Sequence, residues 1–217
     1  EAAHRVRTPL ATVRTQAEVI HRGLEKSKNK TALREMIRAI DESSRSAGQL
    51  LDHAMVNFRA DQLQTEALDL RKLTAETVER LSPTAELKDI SIIMQDQGGD
   101  FDFDGDPIML QNALRNILDN AIKYSFSESD ITVALGRDAH NYIISFADQG
   151  RGFAGANLSD HLQRFKRGTN VKDIVGSGLG LTIVDEVARA HGGRVKINNN
   201  TDTKGGGACV SLYFPLV

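Results

Sequence analysis

Asn116, Asn120, Lys123 and Tyr124 fall at i, i+4, i+7 and i+8 of a stretch that reads as helix, so they share one polar stripe. Leu114, Ile117, Leu118 and Ala121 make the opposite face apolar. Carboxamide oxygens are hard ligands suited to Mg²⁺, which keeps several waters and shares phosphate oxygens. A lysine one or two turns away can neutralise phosphate charge. The plainer reading is a solvated face, but two helix-interior asparagines are disfavoured by propensity and so argue for use.

Asp148-Gln149-Gly150-Arg151-Gly152 follows the apolar run Ile143–Ala147. Alternate glycines let backbone approach a flat ligand, and a carboxylate there can accept from an exocyclic amine such as that of adenine. A strand-to-loop turn would use the same residues. Gly176-Ser177-Gly178-Leu179-Gly180-Leu181 opens into a helix from Thr182 to His191, presenting unpaired N–H groups to an anion. It is not a Walker A sequence, because no Lys-Ser/Thr pair follows. Nor is it the dinucleotide fingerprint, because the charged stretch Arg167–Asp173 precedes it instead of a strand. Arg164-Phe165-Lys166-Arg167 ahead of it reads as the basic hinge of a lid over a phosphate tail. Last comes His4-Arg5-Val6-Arg7-Thr8-Pro9-Leu10. His4 falls outside the local apolar seam, Thr8 shares its face, and Pro9 bends the helix just beyond it. Imidazole is a competent nucleophile near neutral pH. A solvated surface histidine is the bland alternative.

These groups need two kinds of scaffold. Val6, Leu10, Val13, Ala17, Ile20 and Leu24 recur in alternating steps of four and three, the seam of helices packed at shallow angles. A second series follows in Leu33, Ile37, Ile40, Ser44, Ala47, Leu51, Ala54 and Phe58. The polar stretch Glu25–Lys30 between them predicts an antiparallel helical hairpin over residues 1–62. Two helices cannot cover both seams, so a homodimer completing a four-helix bundle is expected. From Asp61 the heptads stop. Ile90–Gln95, Ile131–Arg137, Tyr142–Ala147, Arg194–Asn198 and Ala208–Leu216 read as strands, and Leu73–Leu87, Pro107–Tyr124 and Gly180–His191 as helices. Residues 66–217 should therefore form an α/β sandwich, a mixed sheet with helices on one face.

The balance of 27 basic against 29 acidic residues in 217 gives a net charge of −2 and points to neither nucleic acid nor an anionic membrane. The first 65 residues carry a net +3 and the remainder −5. No apolar run is long enough to span a bilayer. The one cysteine, Cys209, excludes an internal disulfide and a multi-cysteine zinc site, and it fits a reducing compartment. Glu1 opens directly on a helical pattern, so the chain reads as cut from something longer.

In order and spacing, these groups together resemble the transmitter part of bacterial two-component sensor histidine kinases. His4–Leu10 resembles the H box, Asn116–Tyr124 the N box, Asp148–Gly152 the first glycine box, Arg164–Arg167 the F box and Gly176–Leu181 the second glycine box. Gly205-Gly206-Gly207 before the final strand resembles the last, weaker glycine box. The resemblance implies a Bergerat-type ATP-binding fold, shared with gyrase, Hsp90 and MutL ATPases, with ATP and Mg²⁺ as cofactors. It implies Asn120 as the main Mg²⁺ ligand supported by Asn116, Lys123 at the phosphates, Tyr124 against adenine and Asp148 on its amino group. Gly150 and Gly152 would shape the base pocket, while Gly176, Gly178, Gly180 and Leu181 would border the phosphates. Arg167, with Arg164, would stabilise charge on the γ-phosphoryl group. His4 would be phosphorylated and would pass the group to an aspartate of a response-regulator receiver domain. Thr8 matches the position that helps dephosphorylate the regulator. The whole would be the cytoplasmic part of a membrane-anchored receptor, with membrane contact only through segments upstream of Glu1.

One position departs from the pattern. Arg5 stands where such kinases carry an acid beside the histidine, which removes an orienting carboxylate and lowers the imidazole's proton affinity. A nucleotide-binding scaffold and a gyrase- or Hsp90-type ATPase are the competing readings. The latter needs a Glu one turn before the Mg²⁺-binding Asn to activate water, and Asn116 cannot act as that base.

Overall fold

The computed structural model describes residues 13–15, 17, 20, 28–154, 158–162, 178–200 and 206–216. His4, Thr8, Arg164, Arg167 and Gly176 lie outside them, as does the stretch that opens the first expected helix. The chain divides into two compact units, the first reaching Met55 and the second beginning at Val56.

In the first unit, residues 13–15, 17 and 20 are helical, and α1, which runs from Lys28 to Ala60, lies in it as far as Met55 and enters the second unit with its last five residues. Arg14 Nη1 lies 3.2 Å from Asp41 Oδ1, which brings the two stretches side by side, and Ala17 is buried. The expected hairpin is thus seen in part. Its seam is not filled: Val13, Ile20 and Phe58 are 47%, 57% and 68% exposed in the single chain.

The second unit is built on a sheet ordered β2-β4-β5-β7-β6, comprising β2 (Ile90–Asp96), β4 (Ser129–Arg137), β5 (Asn141–Ala147), β6 (Arg194–Asn199) and β7 (Ala208–Pro215). β2 and β4 pair in parallel and the remaining neighbours antiparallel, which makes the sheet mixed. Two short strands the sequence reading did not contain, β1 (Glu66–Asp69) and β3 (Asp102–Gly105), pair with each other. Four residues are too few to show a period of two against their neighbours.

Strand alternation sorts the core. Ile131, Val133 and Leu135 of β4, Tyr142, Ile144 and Phe146 of β5, and Val210, Leu212 and Phe214 of β7 are buried on the face that α2 (Leu70–Glu86), α3 (Pro107–Tyr124) and α4 (Gly180–Ala190) cover. α2 starts three residues before the expected Leu73 because the Asp69 side chain accepts from the N–H groups of Arg71 and Lys72. α3 starts as read, with Pro107 in the first turn and Asp106 as N-cap.

Asp106 is wholly buried and fully used. Its Oδ1 accepts from Ile108 N and Met109 N at 3.1 Å, and its Oδ2 from Arg59 Nε at 2.9 Å. Its own N–H donates to His191 Nε2 at 2.9 Å, so the ring proton sits on Nδ1 and is given to Val187 O at 2.8 Å. Burial holds the His191 pKa below its ordinary value, against the bond to Val187 and the charge of Asp106. The ring also packs among Phe103 and Phe214, so the end of α4 and the start of α3 are fixed together.

Candidate functional site

α3 carries the asparagine stripe because its apolar positions are committed to the sheet. Leu114, Ile117, Leu118 and Ala121 are buried in the core, which turns Asn116 and Asn120 toward the start of α4. Asn116 is itself buried; its Nδ2 donates to Asn112 O at 2.8 Å, and its Oδ1 faces Gly180. Gly180, the first residue of α4, sits against both. A Cβ there would be 3.1 Å from Asn120 Nδ2 and 3.4 Å from Asn116 Oδ1. Absence of a side chain lets the helix N-terminus, with its unpaired N–H groups, come close to the carboxamides.

A second group centres on Asp148. It follows the last residue of β5, and its Oδ1 accepts from Gly150 N and from Ala208 N, both at 2.9 Å. Its backbone N–H donates to Ala208 O at 2.8 Å. Oδ2 takes no part in these bonds and remains as an acceptor. Burial raises the Asp148 pKa, and the N–H groups of Ala208 and Gly150 partly oppose the rise. Gly150 is a steric necessity: a Cβ would stand 2.2 Å from Tyr124 O, where Ser125 and Gly150 form an isolated bridge. Gly207 is held as tightly, its absent Cβ 2.0 Å from Asp148 O. The end of β5, the start of β7 and the end of α3 therefore meet at one carboxylate.

Lys123 and Tyr124 complete the α3 edge. Lys123 Nζ lies 4.8 Å from the centroid of the Tyr124 ring and 3.3 Å from its hydroxyl. The last carbonyls of α3 are met from elsewhere: Lys88 Nζ donates to Ile122 O at 2.8 Å and Lys123 O at 3.1 Å. Gly152 adopts a left-handed φ of +64°, and the next residue is clamped by Asn199, whose Oδ1 accepts from Phe153 N at 2.6 Å while its Nδ2 donates to Phe153 O at 2.9 Å. A short 3₁₀ turn, Leu158–Leu162, is tied on by His161 Nε2 to Ala154 O at 2.8 Å and by Thr182 Oγ1 to Leu162 O at 3.2 Å.

The structure thus brings Asn116, Asn120 and Gly180 into contact, and Tyr124, Asp148 and Gly150 into contact. Gly152, Gly178 and Leu181 lie on the adjoining loop and helix start. The residues missed were Lys88, Asn199 and Ala208. Each acts through pairing with a partner 34 to 60 positions away, which no local pattern announces. Among the described residues no group of three or more His, Cys, Asp or Glu side chains could hold an ion alone. Two neutral carboxamides suit instead a cation whose remaining ligands are phosphate oxygens and water.

Residues 105–217 match the family model described as histidine kinase-, DNA gyrase B-, and HSP90-like ATPase. The chain is 32% identical over 200 residues to the sensor protein QseC of Salmonella typhi, covering 92% of this chain and 43% of QseC. It is 26% identical over 222 residues to the sensor histidine kinase YvrG of Bacillus subtilis, covering 98% and 37% respectively. The chain therefore spans less than half the length of these two relatives. The solved mycobacterial sensor histidine kinase MprB superposes with a TM-score of 0.62 at 27% identity, over 69% of this chain and 97% of that one.

Proposed function

The chain belongs to the family of histidine kinase-, DNA gyrase B- and HSP90-like ATPases, and on that basis we propose that it is the transmitter of a two-component sensor histidine kinase, autophosphorylating His4 from ATP. The observation that carries the reading is a pair of groups, one at the start of α4 and one at the end of β5. The first joins two carboxamides to a helix N-terminus, which suits a triphosphate tail, and the second offers a half-committed buried carboxylate, which suits the amino group of an adenine. Asp148 Oδ2 accepts from the adenine amino group while its Oδ1 stays locked on Gly150 and Ala208. Tyr124 covers the base. Lys123 and the amides at Gly178 and Gly180 meet the phosphates, and Leu181 packs behind them. Asn120, supported by Asn116, would hold Mg²⁺, which would neutralise phosphate charge when bound.

Phosphoryl transfer needs mainly in-line positioning and charge neutralisation. The His4 imidazole forms an N–P bond to the γ-phosphorus as the bond to the β-phosphate oxygen breaks, ADP leaves, and the ring proton passes to solvent. Arg167 and Arg164 steady the charge of the transferring group. Asn116 in place of a Glu favours this protein nucleophile over activated water. The phosphoryl group then passes to an aspartate of a response-regulator receiver domain, and Thr8 assists its later hydrolysis there. The exposed seam of Val13, Ile20 and Phe58 supports assembly as a homodimer through the hairpin. The likeness to the sensor proteins QseC and YvrG supports assigning the chain to the cytoplasmic part of a receptor.

Incubation with γ-labelled ATP and Mg²⁺ tests this. Acid-labile, base-stable label on the chain and none on His4→Gln is the expected result. Absence of label, with ATP binding intact by titration, would favour a scaffold and implicate Arg5.

A further inference from the structure

The stretch from Asp148 to Phe153 leaves the end of β5 and is held at both ends by neighbouring strands. Ala208, on β7, holds the first residue: its N–H donates to Asp148 Oδ1 at 2.9 Å and its carbonyl accepts from Asp148 N at 2.8 Å. Asn199, which ends β6, holds the last: it accepts from Phe153 N at 2.6 Å and donates to Phe153 O at 2.9 Å. Its carboxamide thus makes the two bonds that a strand neighbour would make through its backbone. The two clamps form one unit, because Asn199 and Ala208 stand opposite each other in the register of β6 and β7. Asn200 N donates to Gly207 O at 2.8 Å just beyond them. Between the clamps, Gly152 turns with its left-handed φ, and a Cβ on it would lie 2.9 Å from Asn199 Oδ1 and 3.0 Å from Gly207 O. Asn199 is exposed, so its side chain supplies these bonds and little core packing.

We propose that Asn199 is a positioning residue for base recognition: by fixing Phe153 it keeps Gly150 N on Asp148 Oδ1, and so keeps Asp148 Oδ2 presented to the amino group of an adenine. The inference rests on reading Asp148 as the base-recognising residue of an ATP site. Asp148 Oδ1 takes two donors, and they differ in what holds them. Ala208 N is part of a strand. Gly150 N belongs to the loop and meets the carboxylate only while the loop keeps its path, which Asn199 fixes at the Phe153 end. A carboxylate held by one donor instead of two turns more freely, and a bond that needs its second oxygen in one place is weakened.

The test titrates ADP and purine riboside diphosphate, in which hydrogen replaces the amino group, into the full chain and its Asn199→Ala and Asn199→Asp variants. The unaltered chain should prefer ADP. Asn199→Ala should bind ADP about fivefold more weakly, the effect of losing one neutral hydrogen bond to the base. Its affinity for the analogue should equal that of the unaltered chain, so the preference for ADP shrinks by the same factor. Asn199→Asp keeps an acceptor for Phe153 N but has no donor for Phe153 O, and its preference should shrink less. An equal loss on both nucleotides would overturn the inference, because a residue that only shapes the loop would weaken both alike. So would an unchanged ADP affinity in both variants. An unaltered chain that binds no ADP, or binds the two nucleotides equally, would instead bring down the ATP-site reading itself.

Discussion

Asp148 shows how one side chain divides its labour by atom. Oδ1 ties β5 to β7 and to the glycine turn; Oδ2 is left for a ligand. The raised pKa has a sign that can be followed through both folding and binding. Folding favours the protonated form, so the contribution of Asp148 to stability is greatest below the ordinary carboxylate value of 3.8 and is lost as pH rises through the raised folded value. Binding asks for the opposite, an ionised acceptor. ADP affinity should therefore fall on acidification from above 3.8, by up to about tenfold per pH unit once the group is protonated. Asp148→Asn should lose about tenfold or more in ADP affinity at pH 7, its amide facing the adenine amine donor to donor. The same variant should be no less stable than the parent and should lack the pH dependence. Calorimetric titration across pH, with thermal unfolding in parallel, reads both; a variant that keeps ADP affinity would remove Asp148 from the base site.

At the scale of the element, α3 is held at both ends by residues remote in sequence. Asp106, with His191 and Arg59 on its N–H and carboxylate, fixes the start. Lys88 fixes the finish, lending positive charge to carbonyls that carry the negative end of the helix dipole. Those carbonyls belong to Ile122 and Lys123, immediately before Tyr124, so the cap fixes the backbone that carries Lys123 and Tyr124. Lys88→Met is expected to cost about 0.5–1 kcal/mol in urea unfolding. It should also weaken ADP binding severalfold, because Lys123 and Tyr124 lose their fixed base. Equal ADP affinity in the variant would confine Lys88 to a stabilising role. α4 plays a complementary part: it starts with a glycine, and the missing side chain is what allows its N-terminus to reach the asparagines.

For the whole molecule, the apolar seam of the hairpin is the feature a single chain leaves unsatisfied. Val13→Asp with Ile20→Asp should convert a micromolar dimer to monomer in sedimentation, while ADP binding in the second unit persists; a parent chain that sediments as a monomer would end the bundle reading. Much of this was legible in the residues themselves. The 4-3 steps, the Asp106-Pro107 start, the asparagine stripe and the glycine groups all lie within windows of a few turns, where backbone periodicity and propensity act directly. They determined the helical and sheet-forming halves, the order of the functional groups and the likeness to sensor histidine kinases. Tertiary structure decided what such windows cannot hold. Antiparallel pairing of β5 with β7 brought Ala208 to the end of β5, and only then could it lock one oxygen of Asp148 and free the other. Lys88 and Asn199 give no local sign because their partners lie 34 and 35 residues away for the first and 46 for the second. Ser125 looked like any residue after a helix until burial left its hydroxyl without a partner. Hydrogen-bond satisfaction is settled by what surrounds a buried atom, and that is a property of the packed chain and not of its order.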